Sequence, residues 1–136
     1  MSPAELLARE TREWLLKAAD DLGSGRVLEA SGHEATALYH CQQAGEQSLK
    51  AWLTFQDQAF RKTHNLKELG DACARLDPSL TSLADEADAL TDYAWKLRYP
   101  GAPYVVDPQE MEAMLTLAGR ILAEVQLRLP PEARLT

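Results

Sequence analysis

The sequence is poor in the residues that build disulfides and metal sites. Its 136 residues include two cysteines, Cys41 and Cys73, and three histidines, His33, His40 and His64. Both cysteines fall within helical patterns, so we expect two reduced, buried thiols and no bridge. The histidines lie on separate predicted elements without a metal-ligand spacing, and we therefore predict no metal site and no cofactor.

Long apolar runs and positive charge are also scarce. No apolar run approaches the ~18 residues of a membrane span, and residues 1–5 lack the charged and apolar regions of a signal peptide, so we expect a cytoplasmic protein without membrane contact. Lysine and arginine number 14 against 21 acidic residues, a net charge of −7. Because affinity for duplex DNA comes mainly from neutralised phosphates, this balance argues against duplex binding.

Two signatures of nucleotide enzymes are missing as well. The segment Gly23-Ser24-Gly25 has neither the following lysine nor the preceding strand of a phosphate-binding loop. No alternating strand pattern of useful length occurs, and residues 104–106 are too few and too close to prolines. These absences exclude the common α/β nucleotide-binding folds.

Helical periodicity is what the sequence does contain. The length suits a single domain, residues 1–136, with one core. Apolar residues recur at steps of three and four through five segments. We therefore predict an all-α fold, an up-and-down antiparallel bundle of four to five helices joined by short connections.

Capping residues define the predicted helix boundaries. The N-termini are marked by capping boxes at Ser2 to Glu5 and Ser31 to Glu34, by Asn65 or Thr63, by Asp77-Pro78 and by Asp107-Pro108. The first helix is expected to weaken or break at residues 23–25, because each glycine costs about 1 kcal/mol relative to alanine. The second runs to about Gln56.

The later helices are predicted from their apolar stripes. The third is short, with Leu66, Leu69, Cys73 and Leu76 on its buried side. The fourth has the strongest periodicity of the chain, through Leu80, Leu83, Ala87, Leu90, Ala94 and Leu97. We expect it to form one continuous helix that ends before residues 99–103. Residues 104–106 then cross as an extended segment. The fifth helix starts at the Asp107-Pro108 cap, has apolar residues from Met111 to Leu129 and ends at two prolines.

The second helix carries a polar line opposite its apolar stripe. Gln43, Glu46 and Lys50 follow one another at i, i+3 and i+7. Glu46 and Lys50 have the favourable i,i+4 order, which stabilises a helix by a few tenths of a kcal/mol. We expect these three polar side chains to contact one another along two turns.

Strict alternation of helix direction predicts where the loops meet. It places the loop after the second helix and the loop after the fourth helix at the same end of the bundle. That end would gather Arg61, Lys62, His64, Lys96, Arg98 and Tyr99. Arg26 and His33 would lie at the opposite end.

Three motifs together resemble the HEPN domain family. They are Tyr39-His40-x-Gln42-Gln43-Ala44-x-Glu46-x-x-Leu49-Lys50-Ala51, Thr63-His64-Asn65-Leu66-x-x-Leu69 and Leu97-Arg98-Tyr99-Pro100. The resemblance spans most of the chain. It implies a helical bundle that is often a homodimer, occurs in prokaryotic toxin-antitoxin and defence systems, and is commonly paired in this small form with a nucleotidyltransferase-like partner.

The sequence departs from the family's nuclease branches. The resemblance implies metal-independent RNA cleavage where an arginine is followed, after four to six residues, by a histidine late in the bundle. Here Arg98 has no histidine after it. Arg26 and His33 have that spacing, but they lie at the first turn, so we interpret their match as chance.

The predicted end cluster remains the candidate site. Lys50, Arg61, Lys62, His64, Arg98 and Tyr99 are predicted to bind a nucleotide or RNA. Two alternatives stay open. In the first, His64 and Arg98 form a non-standard catalytic pair of a ribonuclease. In the second, these residues only form a solvent-exposed loop and the ends of helices, and the chain is a structural interaction module.

Overall fold

The computed structural model describes residues 1–100 and 105–135 and confirms the all-α bundle. Its elements are α1 (Pro3–Ala30), α2 (Glu34–Phe55), α3 (Leu66–Leu76), α4 (Thr81–Ala87) and α5 (Pro108–Leu127), with short 3-10 helices at Pro78–Leu80, Asp88–Ala94 and Pro131–Ala133. No strand occurs in these ranges. Residues 101–104, which carry most of the predicted break and part of the extended crossing, lie outside the described residues.

Most of the predicted N-caps are confirmed. The side chains of Ser2, Asn65 and Asp107 each accept a hydrogen bond from a backbone N–H two or three residues ahead. Such a bond satisfies one of the unpaired N–H groups at a helix start. These three residues therefore begin α1, α3 and α5 as the sequence predicts.

The predicted capping box at Ser31 is wrong. Ser31 instead closes α1, and Gly32 follows in the left-handed region with φ of 82°. The N–H of His33 donates to the Leu28 carbonyl and that of Gly32 to the Glu29 carbonyl, the two bonds of a Schellman motif. His33 then precedes α2 without a side-chain cap, because Ser31 already serves the preceding helix.

The expected weakness in α1 is not seen, since the helix continues through residues 23–25 to Ala30. Gly25 lies against α2, where a Cβ would be 3.4 Å from the Ala37 carbonyl oxygen. Close packing on α2 offsets the low helix propensity of this glycine. Gly23 lies on the open side, with nothing within 4 Å of a Cβ placed there.

The fourth predicted helix is not one continuous α-helix. Only seven residues, Thr81–Ala87, are α-helical, and 3-10 turns flank them. The predicted seam is still buried from Leu80 to Leu90, because residues three apart also share a side in a 3-10 helix. On α3, Leu76 was expected to be buried but is 45% exposed.

The direction of α3 departs from strict alternation and moves the predicted site. Residues 56–65, the return segment, run back along α2, so that the Gln42 side chain donates to the His64 carbonyl. Leu66 then lies against Gly45, and the Cys73 thiol lies 3.6 Å from the Leu49 carbonyl. α3 therefore advances in the same sense as α2.

The elements after α3 are reversed in consequence. α4 returns along α3, where Gly70 packs on Ala84 and Thr91 accepts a hydrogen bond from the Leu66 N–H. The chain after α4 thus reaches the start of α2, the end opposite to the one predicted. α5 begins there and runs antiparallel to α1, because Leu115 lies against Gly25, Gly119 lies against Leu22, and Glu132 accepts a hydrogen bond from Arg12.

The centre of α2 is where the other elements converge. A Cβ on Gly45 would lie 3.0 Å from side-chain atoms of both Leu66 and Leu90 and 3.3 Å from Ile121. Three elements can pack this closely only because residue 45 has no side chain. The core is built around this point.

The two cysteines confirm the expected buried thiols. Cys41 and Cys73 are free and buried. Burial raises the pKa of Cys41 to about 12, partly opposed by Arg26, and burial raises the pKa of Cys73 to about 12. Both thiols therefore stay protonated at neutral pH.

Candidate functional site

A buried polar network occupies the middle of α2. The Glu46 carboxylate, in a residue only 3% exposed, accepts hydrogen bonds from Gln42 Nε2 at 3.0 Å and His64 Nδ1 at 2.7 Å. Its second oxygen accepts from Lys50 Nζ at 2.9 Å. Because a carboxylate only accepts, His64 Nδ1 carries the proton. The predicted contact between Glu46 and Lys50 is confirmed.

Gln42 completes this network, although the predicted polar line did not include it. Gln42 is fully buried, and its carbonyl oxygen accepts a bond of 2.7 Å from Gln43 Nε2. Gln43 in turn accepts a bond from Gln47, and no hydrogen bond joins Gln43 to Glu46 in the described residues. The i,i+4 spacing of Gln42 and Glu46, the same as that of Glu46 and Lys50, was the signal that sequence reasoning missed.

Aromatic rings close the network on the side of α1. Lys50 Nζ lies 5.6 Å from the Trp14 ring centroid and 5.8 Å from that of Phe60. The two rings contact each other edge to face at 6.1 Å and hold the return segment against α1. Lys50, predicted to supply charge to a ligand, is 8% exposed and its ammonium is neutralised by Glu46.

The loop cations have separate surroundings. Arg61 pairs with Glu68 at 2.6 Å, and this hydrogen bond raises the pKa of Arg61 and lowers the pKa of Glu68. Lys62 is exposed, and the His64 side chain is 68% exposed although Glu46 holds its Nδ1. These residues lie along the middle of α2, on the return segment.

Arg98 lies at a different place, over the first turns of α2. Its guanidinium carbon is 4.1 Å from the centroid of the Tyr39 ring, which is stacking distance. The two residues line a cleft of about 230 Å³ with Ala35, Thr36 and Leu97. Within residues 1–100 and 105–135, no carboxylate pairs with Arg98. Tyr99 follows it with 67% exposure.

Arg98 and His64 do not form the predicted common cluster. Their contact residues, Tyr39 and Glu46, are seven positions apart on α2, which corresponds to about 10 Å at 1.5 Å per residue. The return segment brings His64 to the middle of α2, while the reversed direction of α4 brings Arg98 to its start, and no contact joins the two side chains within the described ranges. The arrangement gives no support to a catalytic pair of these two residues.

His40 is held by an acidic partner from α1. Its Nδ1 lies 2.6 Å from Asp21 Oδ1, and its ring contacts Tyr39 at 5.5 Å between centroids. The imidazole is 25% exposed, so His40 is a half-buried histidine with its Nδ1 hydrogen-bonded. The antiparallel pairing of α1 and α2 across the turn at residues 31–33 brings the two residues together.

Arg26 and His33, whose spacing was interpreted as chance, are directed to different neighbours. Arg26 extends over Gly119 of α5, with a guanidinium nitrogen 3.6 Å from the Cβ position of that glycine. His33 precedes α2 without capping it. Neither contact unites the two side chains in a site.

The described ranges lack two further kinds of functional element. They contain no group of three or more histidine, cysteine, aspartate or glutamate side chains placed to hold a metal ion. Within the same ranges, no helix has the length and apolar character needed to cross a membrane.

Comparisons with known proteins identify one relationship. A family model described as HEPN domain matches residues 11–128, which is most of the chain. No curated protein and no solved structure matches the chain.

Proposed function

The chain belongs to the HEPN domain family, and from this premise we propose that it is a component of a prokaryotic toxin-antitoxin or defence module that binds a nucleotide or RNA at Arg98. Proteins of this family often occur in such systems. The proposal concerns the ligand and the residue that binds it.

The stacked guanidinium of Arg98 is the observation that carries the proposal. The guanidinium carbon lies 4.1 Å from the centroid of the Tyr39 ring, and its N–H groups have no carboxylate partner in the described residues. A guanidinium in this state binds phosphate oxygens through paired, charge-assisted hydrogen bonds. Tyr99 follows it in the chain, exposed, and offers an aromatic face for a base.

The other predicted cations support the proposal less well. Lys50 forms a salt bridge with Glu46, and Arg61 forms one with Glu68, so both positive charges are already paired. His64 donates its Nδ1 proton to Glu46. A local site at Arg98 also fits a chain with a net charge of −7, which has little positive surface for extended contacts.

The family supports the remaining parts of the proposal. We propose that the chain forms a homodimer, acts in the cytoplasm and works with a nucleotidyltransferase-like protein partner. Copurification from cells that coexpress the chain and its neighbouring reading frame tests the partner. Analytical ultracentrifugation of the purified chain tests the dimer.

Binding of AMP and of a labelled single-stranded RNA to Arg98→Ala tests the ligand site, with Arg61→Ala as its matched control. Both variants remove one exposed guanidinium, but only Arg61 has a carboxylate partner. Since hydrogen bonds to charged groups contribute about 1.5–3 kcal/mol, we expect Arg98→Ala to weaken binding at least tenfold. Arg61→Ala should change it by less than about threefold.

These binding measurements distinguish a ligand-binding protein from a structural module. Equal losses in both variants would show a general charge effect and contradict the Arg98 site. If neither AMP nor RNA binds the unmodified chain while a protein partner still copurifies, the chain is an interaction module.

A further inference from the structure

A groove on α1 lies beside the Arg98 cleft. It has a volume of about 590 Å³, within the usual range of ligand sites, and its lining includes Ala19, Asp20, Gly23, Ser24, Leu28 and His40. Five of these residues belong to α1 and the sixth to α2. The groove therefore follows the junction of the two helices.

His40 connects the groove to the Arg98 cleft. Its imidazole lines the groove and contacts the Tyr39 ring, and Tyr39 carries the Arg98 guanidinium on its face at 4.1 Å. Asp21 holds the imidazole by its Nδ1, so the ring keeps one orientation. Tyr39 and His40 are thus the two neighbouring side chains between the groove and Arg98, and a ligand that uses both places would lie across them.

The charges of the two places differ in sign. Asp20 lines the groove, and Asp21 lies directly behind His40. Among the described residues, no lysine or arginine lines the groove. A phosphate would be repelled there and attracted to Arg98, so the groove suits the uncharged part of a nucleotide.

The chemistry of the groove fits a heterocyclic base. Ala19 and Leu28 give apolar contact for a flat ring, and the missing side chain of Gly23 leaves its floor open. Asp20 and Ser24 are four residues apart, so they lie on the same side of α1. A carboxylate accepts hydrogen bonds from the exocyclic amino groups of bases, which uracil lacks.

We propose that this groove binds the nucleobase of the ligand whose phosphate lies on Arg98, and that it prefers adenine, guanine or cytosine to uracil. The inference rests on the proposed function, because Arg98 must hold the phosphate. Asp20 is then the residue that determines base specificity, and His40 is the residue that joins the two halves of the site.

Gly23 offers a direct way to test the groove. Because nothing lies within 4 Å of its Cβ position, Gly23→Phe fills the groove without entering the core, and Glu29→Phe is the matched control, which places the same ring on an exposed residue of α1 outside the groove. Calorimetric titrations use AMP, UMP and ribose 5-phosphate. We expect AMP to bind the unmodified chain about tenfold more tightly than UMP, and Gly23→Phe to reduce AMP affinity at least tenfold.

Three controls accompany these measurements. Glu29→Phe should bind AMP like the unmodified chain, and the affinity for ribose 5-phosphate should be the same in Gly23→Phe and Glu29→Phe. Asp20→Ala should abolish the preference for AMP over UMP, whereas Glu29→Ala, which removes an exposed carboxylate of α1 outside the groove, should retain it. Circular dichroism verifies that each variant is folded.

The results distinguish this inference from the Arg98 proposal. If AMP and UMP bind equally well, or if Gly23→Phe binds AMP normally, the base lies elsewhere and the inference is wrong. If Gly23→Phe changes the oligomeric state and leaves AMP affinity unchanged, the groove is a contact between two copies of the chain. If neither AMP nor ribose 5-phosphate binds the unmodified chain, the Arg98 site itself is wrong.

Discussion

Two cations of this chain lie over aromatic rings in opposite surroundings. Lys50 lies near Trp14 and Phe60 with its side chain 10% exposed, and its ammonium is bonded to Glu46. Arg98 lies on Tyr39 at the surface, and no carboxylate of the described residues pairs with it. The comparison teaches that an aromatic neighbour does not identify a binding cation. The two residues differ in whether a buried carboxylate already forms a salt bridge with their positive charge.

The largest effect is expected from breaking the buried pair. Glu46→Ala leaves the Lys50 ammonium buried without its partner, which costs about 3–5 kcal/mol of the free energy of unfolding. Urea denaturation followed by circular dichroism measures this loss. The double variant Glu46→Leu with Lys50→Met should recover most of it, because an apolar pair leaves no unpaired charge. A loss below about 1 kcal/mol would show that Lys50 reaches water freely.

A smaller loss is expected for His64→Ala. The substitution removes one of three hydrogen bonds to the Glu46 carboxylate. Because the imidazole is 68% exposed, we expect a cost of about 1 kcal/mol, at the low end for bonds to charged groups. His33→Ala is the control, since His33 makes no side-chain cap bond, and it should change the free energy of unfolding by less than about 0.5 kcal/mol. If both variants lose the same free energy of unfolding, the hydrogen bond of His64 to Glu46 does not stabilise the fold.

Arg98→Ala should have a still smaller effect on stability. It removes only a cation–π contact at an exposed position, which contributes about 0.5–1 kcal/mol. The same urea titration measures it, and ligand affinity should fall much more strongly. A loss in stability as large as that of Glu46→Ala would mean that Arg98 serves the fold, and the comparison between the two cations would fail.

The least effect is expected at the half-buried carboxylate of Asp77. Hydrogen bonds from Ser79, together with Arg128, lower the pKa of Asp77 below its usual 3.8. Its contribution to stability is therefore complete above that usual value and is lost as pH falls through the lowered native pKa. Asp77→Asn should be less stable than the unmodified chain at neutral pH, and the difference should close in acid.

Thermal unfolding at pH 7 and below pH 4 measures this closing difference. Asp85→Asn is the control, because Asp85 is exposed on α4 and makes no ion pair among the described residues. At pH 7 it should change the unfolding temperature less than Asp77→Asn does, because it removes a carboxylate without an ion pair. A constant difference for Asp77→Asn across this range would show that its carboxylate does not titrate in the way its hydrogen bonds require.

Local signals in the sequence predicted much of the fold. The caps at Ser2, Asn65 and Asp107 depend on residues two or three positions apart, and the Glu46–Lys50 pair on one helical turn. Such short-range features hold whatever the tertiary arrangement is. Ser31 is the exception, because two helix ends competed for the same short turn.

The candidate site could not be predicted in the same way. The position of His64 depends on Phe60 meeting Trp14, 46 residues away, and on Gln42 holding the His64 carbonyl. Helical periodicity records which side of a helix is buried but not the direction in which the next helix runs. An error in the direction of one connection therefore placed Arg98 beside His64 in the prediction. The cationic residues themselves could still be named one by one from the sequence.

The convergence on Gly45 has a consequence for hydrogen exchange. Leu66, Leu90 and Ile121 belong to three elements that all lie within 3.3 Å of a Cβ at this one position. The amides around it can reach solvent only when those elements separate together, so they should exchange at the rate set by global unfolding. The ends of the bundle, where one element at a time can fray, should exchange through smaller openings and much sooner.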